Sequence, residues 1–298
     1  MIDITARGMK DRKTAVALGF FDGLHLGHIE VINAALARKD LAAVVFTFNN
    51  KTLLPKFNTR ENIITHELKL ELLSKIGVDY IFAPDFADVQ DYSPEEFVKK
   101  ILVDKLNAKY VTCGYDFHFG KNGAGDPTAL CHICREYGIE VCVVSAVRAE
   151  NGEIISSTVI RKLIKEGDVA LANKYLGYEL TYVLEVEHGR KLGKKLGFPT
   201  INQTIPKGTI IPKFGVYKSW TVIGGHNYPS ITNIGVKPTV NGDNAEPNME
   251  THIIGWAGDL YGLRTRVVLR EYVRGEKKFA SLDELKAQIK ADKEYCMK

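Results

Sequence analysis

The sequence lacks any apolar run close to the roughly 20 residues that span a membrane, and residues 1–7 lack the basic and then apolar order of a signal peptide. We therefore expect a cytoplasmic protein. Its five cysteines are an odd number and lie far apart, which favours reduced thiols over a disulfide framework. Cys131 and Cys134 form a CxxC pair without a second pair, so the sequence favours the buried face of a helix over a structural zinc site.

A dense stripe of basic residues, typical of nucleic-acid-binding proteins, is also missing. The formal net charge is +4, and it is unevenly distributed. Residues 181–298 hold 18 Lys and Arg against 12 Asp and Glu, whereas residues 1–180 hold 22 against 24. A mildly basic second half suits a phosphorylated small molecule. We expect small-molecule substrates, no nucleic acid or membrane partner, and a monomer or weak homo-oligomer.

Strand-like and helix-like segments alternate over residues 14–145. The apolar runs at 14–18 and 41–48 are typical of buried strands. A capping box that begins at Ser93 predicts a helix that reaches Leu106. Strands that alternate with helices predict an α/β domain whose parallel sheet is covered on both faces.

The pattern changes in the second part of the chain. Residues 182–273 alternate polar and apolar positions between Gly and Pro turns, which predicts a small antiparallel β-barrel. A capping box at Ser281 predicts a terminal helix. We therefore predict two domains, residues 1–180 and residues 181–298. The terminal helix is expected to turn three apolar residues inward: Leu282, Leu285 and Ile289.

A glycine-rich turn lies between the first predicted strand and the first predicted helix. In an open α/β sheet such a turn binds anions, because glycines let the backbone approach the ligand and the helix start offers free N–H groups. The turn also holds His25 and His28, whose imidazoles can donate to phosphate oxygens. Two polar turn histidines without a ligand are the alternative. The residues predicted to bind ATP here are Gly19, Phe20, Phe21, Asp22, Gly23, His25, Gly27 and His28.

A second candidate site lies at a later predicted helix start. Ser156, Ser157 and Thr158 place three hydroxyls there, and Arg161 follows about one turn later. Hydroxyls, N-terminal N–H groups and a guanidinium can together bind a polyphosphate. An ordinary Ser/Thr cap with a surface arginine is the alternative. In the same α/β unit as the histidine turn, this segment would hold a nucleotide triphosphate from the other side.

A third candidate site lies in the predicted barrel. Glycines and lysines precede a Pro-Thr-Ile-Asn segment, which suggests a flexible basic flap followed by two oxygen ligands. A Thr hydroxyl and an Asn amide oxygen suit Mg²⁺ that also touches ATP phosphates. A solvated basic turn is the alternative. The residues of this candidate ATP site are Gly193, Lys195, Gly197, Phe198, Pro199, Thr200 and Asn202.

These segments together resemble bacterial bifunctional riboflavin kinase/FMN adenylyltransferases, the prokaryotic type of FAD synthetase. The resemblance spans about Thr14 to Asp292. It implies a Rossmann-like nucleotidylyltransferase domain that adenylylates FMN with ATP, giving FAD and pyrophosphate. It also implies a flavokinase-like barrel that phosphorylates riboflavin with ATP, giving FMN. The segments on which the resemblance rests are residues 19–25, 114–120, 156–161, 197–202, 233–239, 250–253 and 259–262.

The resemblance also implies roles for individual residues. Asp116 and Phe117 would border the adenylyl-transfer site, where His25 and His28 would act in catalysis. Thr200 and Asn202 would hold Mg²⁺ with ATP. Glu250 would take the proton from the terminal ribityl hydroxyl of riboflavin. The implied metal is Mg²⁺, and the implied substrates are ATP, riboflavin and FMN.

The sequence departs from the family pattern at three places. Asn49 and Asn50 stand where Pro-His-Pro is usual, His118 where arginine is usual, and Leu184 where glycine is usual. The first two departures lie in the predicted adenylyltransferase domain, so a chain that acts mainly as a riboflavin kinase is the nearer alternative. A flavin-binding regulator without turnover is the alternative from another class. It would not require the acid/base and metal residues of both sites.

Overall fold

The structure is a computed structural model in which the chain forms two compact units, Met1–Ser157 and Thr158–Lys298. The domain boundary expected near residue 180 stays a prediction. Within the part of the chain that the structure describes, no helix is both long and apolar enough to cross a membrane. The described residues are 1–49, 61–189, 193, 196–237 and 246–297.

A six-stranded parallel sheet forms the centre of the first unit, in the order β1-β4-β3-β2-β5-β6. All residues of the second and third strands are buried, as expected for a sheet covered on both faces. The predicted α/β fold is therefore confirmed. The strands are β1 (Ile2–Asp3), β2 (Thr14–Leu18), β3 (Ala42–Phe46), β4 (Tyr80–Phe82), β5 (Ala108–Gly114) and β6 (Glu140–Val144).

Helices connect these strands, and one of them differs from the prediction. Ser93 forms the predicted capping box, but the α-helix that it starts continues as a π-helix over Val98–Val103. The wider π turn places residues five apart on one side, so that Ile101 and Leu106 both reach the core. The helices of this unit are α1 (Leu26–Leu36), α2 (His66–Ile76), α3 (Pro94–Phe97) and α4 (Pro127–Glu136).

The register of the sheet places several loops at one edge. Leu18 at the end of β2 lies opposite Phe46 of β3 and Cys113 of β5. The chain builds outward from β2 through β3 to β4 on one side, and through β5 to β6 on the other. Ligands of open α/β sheets bind where the strand order reverses, beyond the carboxyl ends of the strands. That place is the edge at the ends of β2 and β5.

The second unit begins with two helices and continues as a curled six-stranded antiparallel sheet, in the order β7-β12-β9-β10-β11-β8. Gln203 of the last strand in this order donates to the carbonyls of Leu184 in the first strand and Thr265 in its neighbour, at 2.7 and 2.9 Å. This contact brings the two ends of the sheet together, so the predicted small barrel is confirmed. The elements are α5 (Ser157–Glu166), α6 (Val169–Leu176), β7 (Leu180–Glu185), β8 (Thr200–Thr204), β9 (Gly215–Ile223), β10 (His226–Lys237), β11 (Glu246–Ile253), β12 (Arg264–Arg274) and α7 (Leu282–Cys296).

The terminal helix α7 is present, but its predicted inward face is partly wrong. Ser281 accepts from the Glu284 N–H, as a cap should. Leu282, however, is 59% exposed. The helix is instead held at its other end, where the buried carboxylate of Asp292 accepts from Arg274 at 2.7 Å. Helical spacing shows which apolar residues share a face, but not which end of the helix is packed. Here the buried ion pair of Asp292 and Arg274 holds the C-terminal end.

The cysteines lie mostly in packed positions. Cys134 is buried on α4, while Cys131 on the same helix is partly exposed. All five cysteines are unpaired. Among the described residues, no three His, Cys, Asp or Glu side chains are grouped as metal ligands. Because Cys131 and Cys134 both lie in α4, whose buried residues are Leu130, Ile133 and Cys134, the predicted helix is confirmed.

Candidate active sites

The glycine-rich turn has an unusual backbone. Phe21 and Leu24 have φ of 53° and 41°, which are rare values for residues with a side chain, and Gly23 has φ of 82°. A Cβ on Gly19 would lie 2.8 Å from the Phe21 ring, so only glycine fits there. Phe20 is exposed, whereas Phe21 is buried. Such strain is typical of functional sites, where the surrounding structure holds it in place.

Asp22 holds this turn through contacts on both sides. Its side chain is buried, and its carboxylate accepts from the Ile63 N–H at 3.0 and 3.2 Å. Its own carbonyl accepts from the Ser157 hydroxyl at 2.8 Å. The structure therefore connects the histidine turn directly to the hydroxyl segment, as the sequence predicts. The carboxylate of Asp22 organises the turn backbone.

The two histidines lie against each other at the start of α1. Their rings stack with centroids 3.6 Å apart, and Phe21 meets His28 edge-on. Nδ1 of His25 accepts from the His28 N–H at 3.3 Å, so neutral His25 has its proton on Nε2. A Cβ on Gly27 would lie 3.1 Å from the His25 ring, which explains the glycine between the histidines. The arrangement presents imidazole N–H groups at a helix N-terminus, where anions are favoured.

The hydroxyl segment surrounds the start of α5. Ser156 and Ser157 are partly buried, and Thr158 is exposed. Arg161 is partly buried and lies one turn later in α5, within the second unit. Its contact with a triphosphate held by the histidine turn stays a prediction.

The loop that contains Asp116 and Phe117 follows β5 at the same edge of the sheet. Asp116 is exposed, and Phe117 is partly buried and stacks on Phe119 with centroids 5.7 Å apart. His118, which departs from the family pattern, has Nδ1 3.0 Å from the Asp116 carbonyl. The loop and the histidine turn therefore follow neighbouring strands, β5 and β2. The role of this loop in adenylyl transfer stays a prediction.

Lys69 is a residue of this site that sequence reasoning missed. Its side chain is fully buried beneath the turn, and its Nζ donates to the Phe20 carbonyl at 2.9 Å and lies 3.4 Å from the Thr47 hydroxyl. Burial lowers the pKa of Lys69 to about 8, and the charge of Asp22 partly offsets this. The sequence does contain a signal for its burial. Lys69 lies three and four positions before Leu72 and Leu73, so helical spacing places it on the apolar side of α2.

Replacing Lys69 by methionine is expected to remove a pH-dependent part of the stability. The pKa of Lys69 falls from 10.5 to about 8 on burial. Between these values the unfolded chain binds more protons, so the free energy of unfolding of the wild type rises with pH. The full rise is about 3.5 kcal/mol, at roughly 1.4 kcal/mol per pKa unit. Urea unfolding followed by far-UV circular dichroism at about pH 7.5 and about pH 10 measures most of this rise.

Lys75→Met is the matched control, because Lys75 lies on the same helix but is exposed and pairs with Glu71 at the surface. This variant should follow the wild type across the pH range. Parallel stability curves for the wild type and Lys69→Met would contradict the burial effect.

In the second unit, the predicted kinase residues share one face of the sheet. Glu250 of β11 lies opposite Asn202 of β8, and His252 lies opposite Thr200. Opposite residues in an antiparallel pair point to the same side. Met249 points inward and is fully buried, whereas Glu250 is exposed on the other side. The structure therefore brings Thr200, Asn202 and Glu250 to one outer face of the barrel.

Two described glycines of the flap lie close to this face. A Cβ on Gly189 would overlap the Asn202 amide, and a Cβ on Gly193 would overlap the Phe198 carbonyl oxygen and lie 3.3 Å from the Thr200 hydroxyl. Gly197 has φ of 87°, a left-handed value that favours glycine. Gly189 and Gly193 therefore let the backbone pass close to the predicted metal ligands. Lys195 lies outside the described residues.

His252 fixes the segment before Thr200. Its Nδ1 lies 2.9 Å from the Pro199 carbonyl, and Phe198 meets its ring edge-on at 5.6 Å. Burial lowers the pKa of His252. A neutral histidine beside the flap adds no positive charge of its own near neutral pH.

Comparison with known proteins identifies a family for each part of the chain. Residues 8–159 match the family model for FAD synthetase, and residues 176–298 match the model for riboflavin kinase. The bifunctional riboflavin kinase/FMN adenylyltransferase of Listeria monocytogenes is 34% identical, over 98% of this chain and 94% of that protein. The chain belongs to this bifunctional family. Both enzymatic domains of the family are present.

Other relatives cover the chain to a similar extent. The Escherichia coli protein of the same description is 34% identical, over 93% of this chain and 90% of its own. A crystal structure from Streptococcus pneumoniae, described as a macrolide-efflux protein, has a TM-score of 0.85 and 31% identity. It covers 100% of this chain and 99% of that chain. The two-unit architecture is thus found in an experimental structure of similar sequence.

The positions that depart from the family pattern differ in their solvent exposure. Asn49 donates its backbone N–H to the Pro84 carbonyl, and Asn50 lies outside the described residues. His118 is exposed. Leu184 is buried in the barrel core, where its carbonyl accepts from Gln203. The Leu184 side chain thus fills core volume that a glycine would leave empty.

Proposed function

We propose that the chain converts riboflavin into FAD in two ATP-dependent steps. The barrel domain transfers the γ-phosphoryl group of ATP to riboflavin, giving FMN and ADP. The α/β domain transfers the adenylyl group of a second ATP to FMN, giving FAD and pyrophosphate. The observation that supports this best is the match of residues 8–159 to the FAD synthetase family and of residues 176–298 to the riboflavin kinase family. We place both steps in the cytoplasm, on small molecules, in a monomer or weak homo-oligomer without nucleic acid.

The kinase step uses Glu250 as the general base. Its carboxylate would accept the proton of the terminal ribityl hydroxyl while that oxygen attacks the γ-phosphorus and ADP leaves. An exposed carboxylate opposite Asn202 is well placed for this, because the Asn202 side would hold the nucleotide. Phosphoryl transfer requires positioning and charge neutralisation rather than a covalent enzyme intermediate.

Mg²⁺ fits the donor set on this face. The Thr200 hydroxyl and the Asn202 amide oxygen are hard oxygen donors, and Asn248 beside them has a buried amide oxygen that no described residue pairs. When bound, Mg²⁺ neutralises charge on the phosphates. Thr200 and Asn202 would hold it together with ATP phosphate oxygens, and the glycines of the flap allow the backbone to approach.

The adenylyl step uses the histidine turn. A phosphate oxygen of FMN attacks the α-phosphorus of ATP, and pyrophosphate leaves. Imidazole N–H groups of His25 and His28 would stabilise the charge that develops on the α-phosphate. Ser156, Ser157 and Arg161 would hold the departing pyrophosphate, with Asp116 and Phe117 bordering the flavin side.

Incubation with riboflavin, ATP and Mg²⁺ tests the proposal when the products are separated by chromatography. FMN should appear first and FAD later, and FMN supplied alone with ATP should yield FAD and pyrophosphate. A mixture without ATP is the control. FMN that accumulates without FAD, even when FMN is supplied, would favour the alternative of a chain that acts mainly as a riboflavin kinase.

A further inference from the structure

Asn248 lies beside the predicted metal ligands of the kinase domain without a role in the proposal above. It is 4% exposed and stands two positions before Glu250 on β11, so both side chains point to the same face. Its Nδ2 donates to Oδ1 of Asn202 at 3.3 Å. Its own Oδ1 is buried and has no hydrogen-bond partner among the residues that the structure describes.

An unpartnered buried acceptor calls for a physical reason. Leaving such a group without a hydrogen bond costs about 1–3 kcal/mol, and most buried polar atoms in folded proteins are paired. The Asn248 side chain is not needed to join β8 and β11, because the backbone ladder already pairs Asn248 with Thr204 and Glu250 with Asn202. Gln203 also has an unpartnered Oε1, but its amide points to the inside of the barrel. Asn248 instead shares the sheet face of Asn202 and Glu250.

With Asn248 oriented as in the structure, its Nδ2 favours one orientation of the Asn202 amide. If Asn202 were turned by 180°, its NH₂ group would face the NH₂ group of Asn248, and two donors would meet. The hydrogen bond therefore holds the Asn202 carbonyl oxygen on the Asn248 side. That oxygen has two lone pairs, so one remains for a cation.

We propose that Asn248 is a positioning residue for the metal–nucleotide complex of the kinase site. Its Nδ2 fixes the Asn202 amide with the oxygen available, and its Oδ1 accepts a hydrogen bond from a water of the metal's hydration shell. Mg²⁺ usually keeps several waters when it binds with phosphates, so such a donor is expected there. The inference rests on the proposed kinase function and deepens it.

The test compares the full-length wild type with Asn248→Leu, which has a similar volume, and with Asn248→Ala. Binding of Mn²⁺ with ADP is measured by the loss of the free Mn²⁺ signal in electron paramagnetic resonance. ADP is the nucleotide product of the kinase step alone, so it favours that site. Both variants should weaken Mn²⁺–ADP binding by about 10–100-fold, as is typical for residues that orient metal ligands. Conversion of supplied FMN to FAD should be unchanged.

Thermal unfolding without metal gives the second measurement. Both tryptophans, Trp220 and Trp256, lie in the second unit, so their fluorescence reports the unit that holds Asn248. Because Asn248 leaves an acceptor unpaired, Asn248→Leu should keep or raise the metal-free Tm. Asn227→Ala, an exposed change in the same barrel, is the matched control and should alter neither measurement.

Two outcomes would overturn the inference. One is unchanged Mn²⁺–ADP affinity in both variants. The other is a lowered metal-free Tm together with an equal loss of riboflavin affinity, which would indicate a general structural role. A wild type that forms no FMN at all would instead refute the proposed kinase function, so the two failures are distinguishable.

Discussion

Replacing Glu250 by alanine is expected to lower the rate of riboflavin phosphorylation by about 10²–10⁴-fold, the usual contribution of a general base. Conversion of FMN to FAD should stay within about twofold of the wild type, because the two reactions use different domains. The carboxylate lies on the exposed side of β11, directly opposite Asn202. Separate assays of FMN formation from riboflavin and of FAD formation from supplied FMN measure the two effects.

Glu246→Ala is the matched control for this change. Glu246 is an exposed carboxylate on the same strand and the same face, four positions earlier. Its removal should leave both activities near normal. If Glu250→Ala lowered both activities together, the assignment of one site to each domain would be wrong. If it lowered neither, Glu250 would not be the base.

Replacing His28 by alanine is expected to lower FAD formation from FMN by about 10²–10³-fold, the typical effect of removing one donor that stabilises transition-state charge. The His28 ring stacks on His25 and contacts Phe21. Its loss therefore removes a donor and also loosens His25. Riboflavin phosphorylation should be unaffected. Initial rates of FAD and FMN formation, measured separately, check this expectation.

His132→Ala provides the control for the histidine change. His132 lies on α4 of the same unit, and its side chain is 76% exposed. This variant should form FAD at the wild-type rate. Equal FAD formation by His28→Ala would remove that histidine from the mechanism. A parallel loss of FMN formation would indicate that the whole chain is destabilised.

The structure adds a reason why the histidine turn is rigid enough for such chemistry. The Asp22 carboxylate accepts from the Ile63 N–H, and the Asp22 carbonyl accepts from the Ser157 hydroxyl. Lys69 donates to the Phe20 carbonyl from below. Donors aimed at a developing charge stabilise it most when they are held in place before the reaction. The buried polar side chains around the turn supply that support for the histidines.

Much of the fold follows from local sequence patterns. The apolar run Thr14–Leu18 predicts a strand buried on both faces, and the capping boxes at Ser93 and Ser281 predict helix starts. These signals depend on neighbours within a few residues, so the sequence is enough to read them. The histidine turn is predicted for the same reason, since its glycines, histidines and flanking elements are contiguous.

Other features depend on residues far apart in the chain. The burial of Lys69 beneath Phe20 requires α2 to pack on a turn 49 positions earlier. The exposure of Leu282 results from which end of α7 meets Arg274. Periodicity shows which side chains can share a face, but it does not show what that face meets. For this reason the burial of Lys69 was not predicted from the sequence, and Leu282 was wrongly predicted to face inward.

The kinase site shows the same division most clearly. The residue types of Thr200 and Asn202 suggest a metal site from the sequence, and the family resemblance adds Glu250 as a base. Their placement on one face depends on the register of β8 against β11, which joins positions 48 residues apart in the pair Glu250 and Asn202. A shift of one residue would turn Glu250 into the barrel. The sequence by itself thus determined the chemical groups and the two-domain fold, whereas strand pairing decided which groups meet and placed Asn248 beside Asn202.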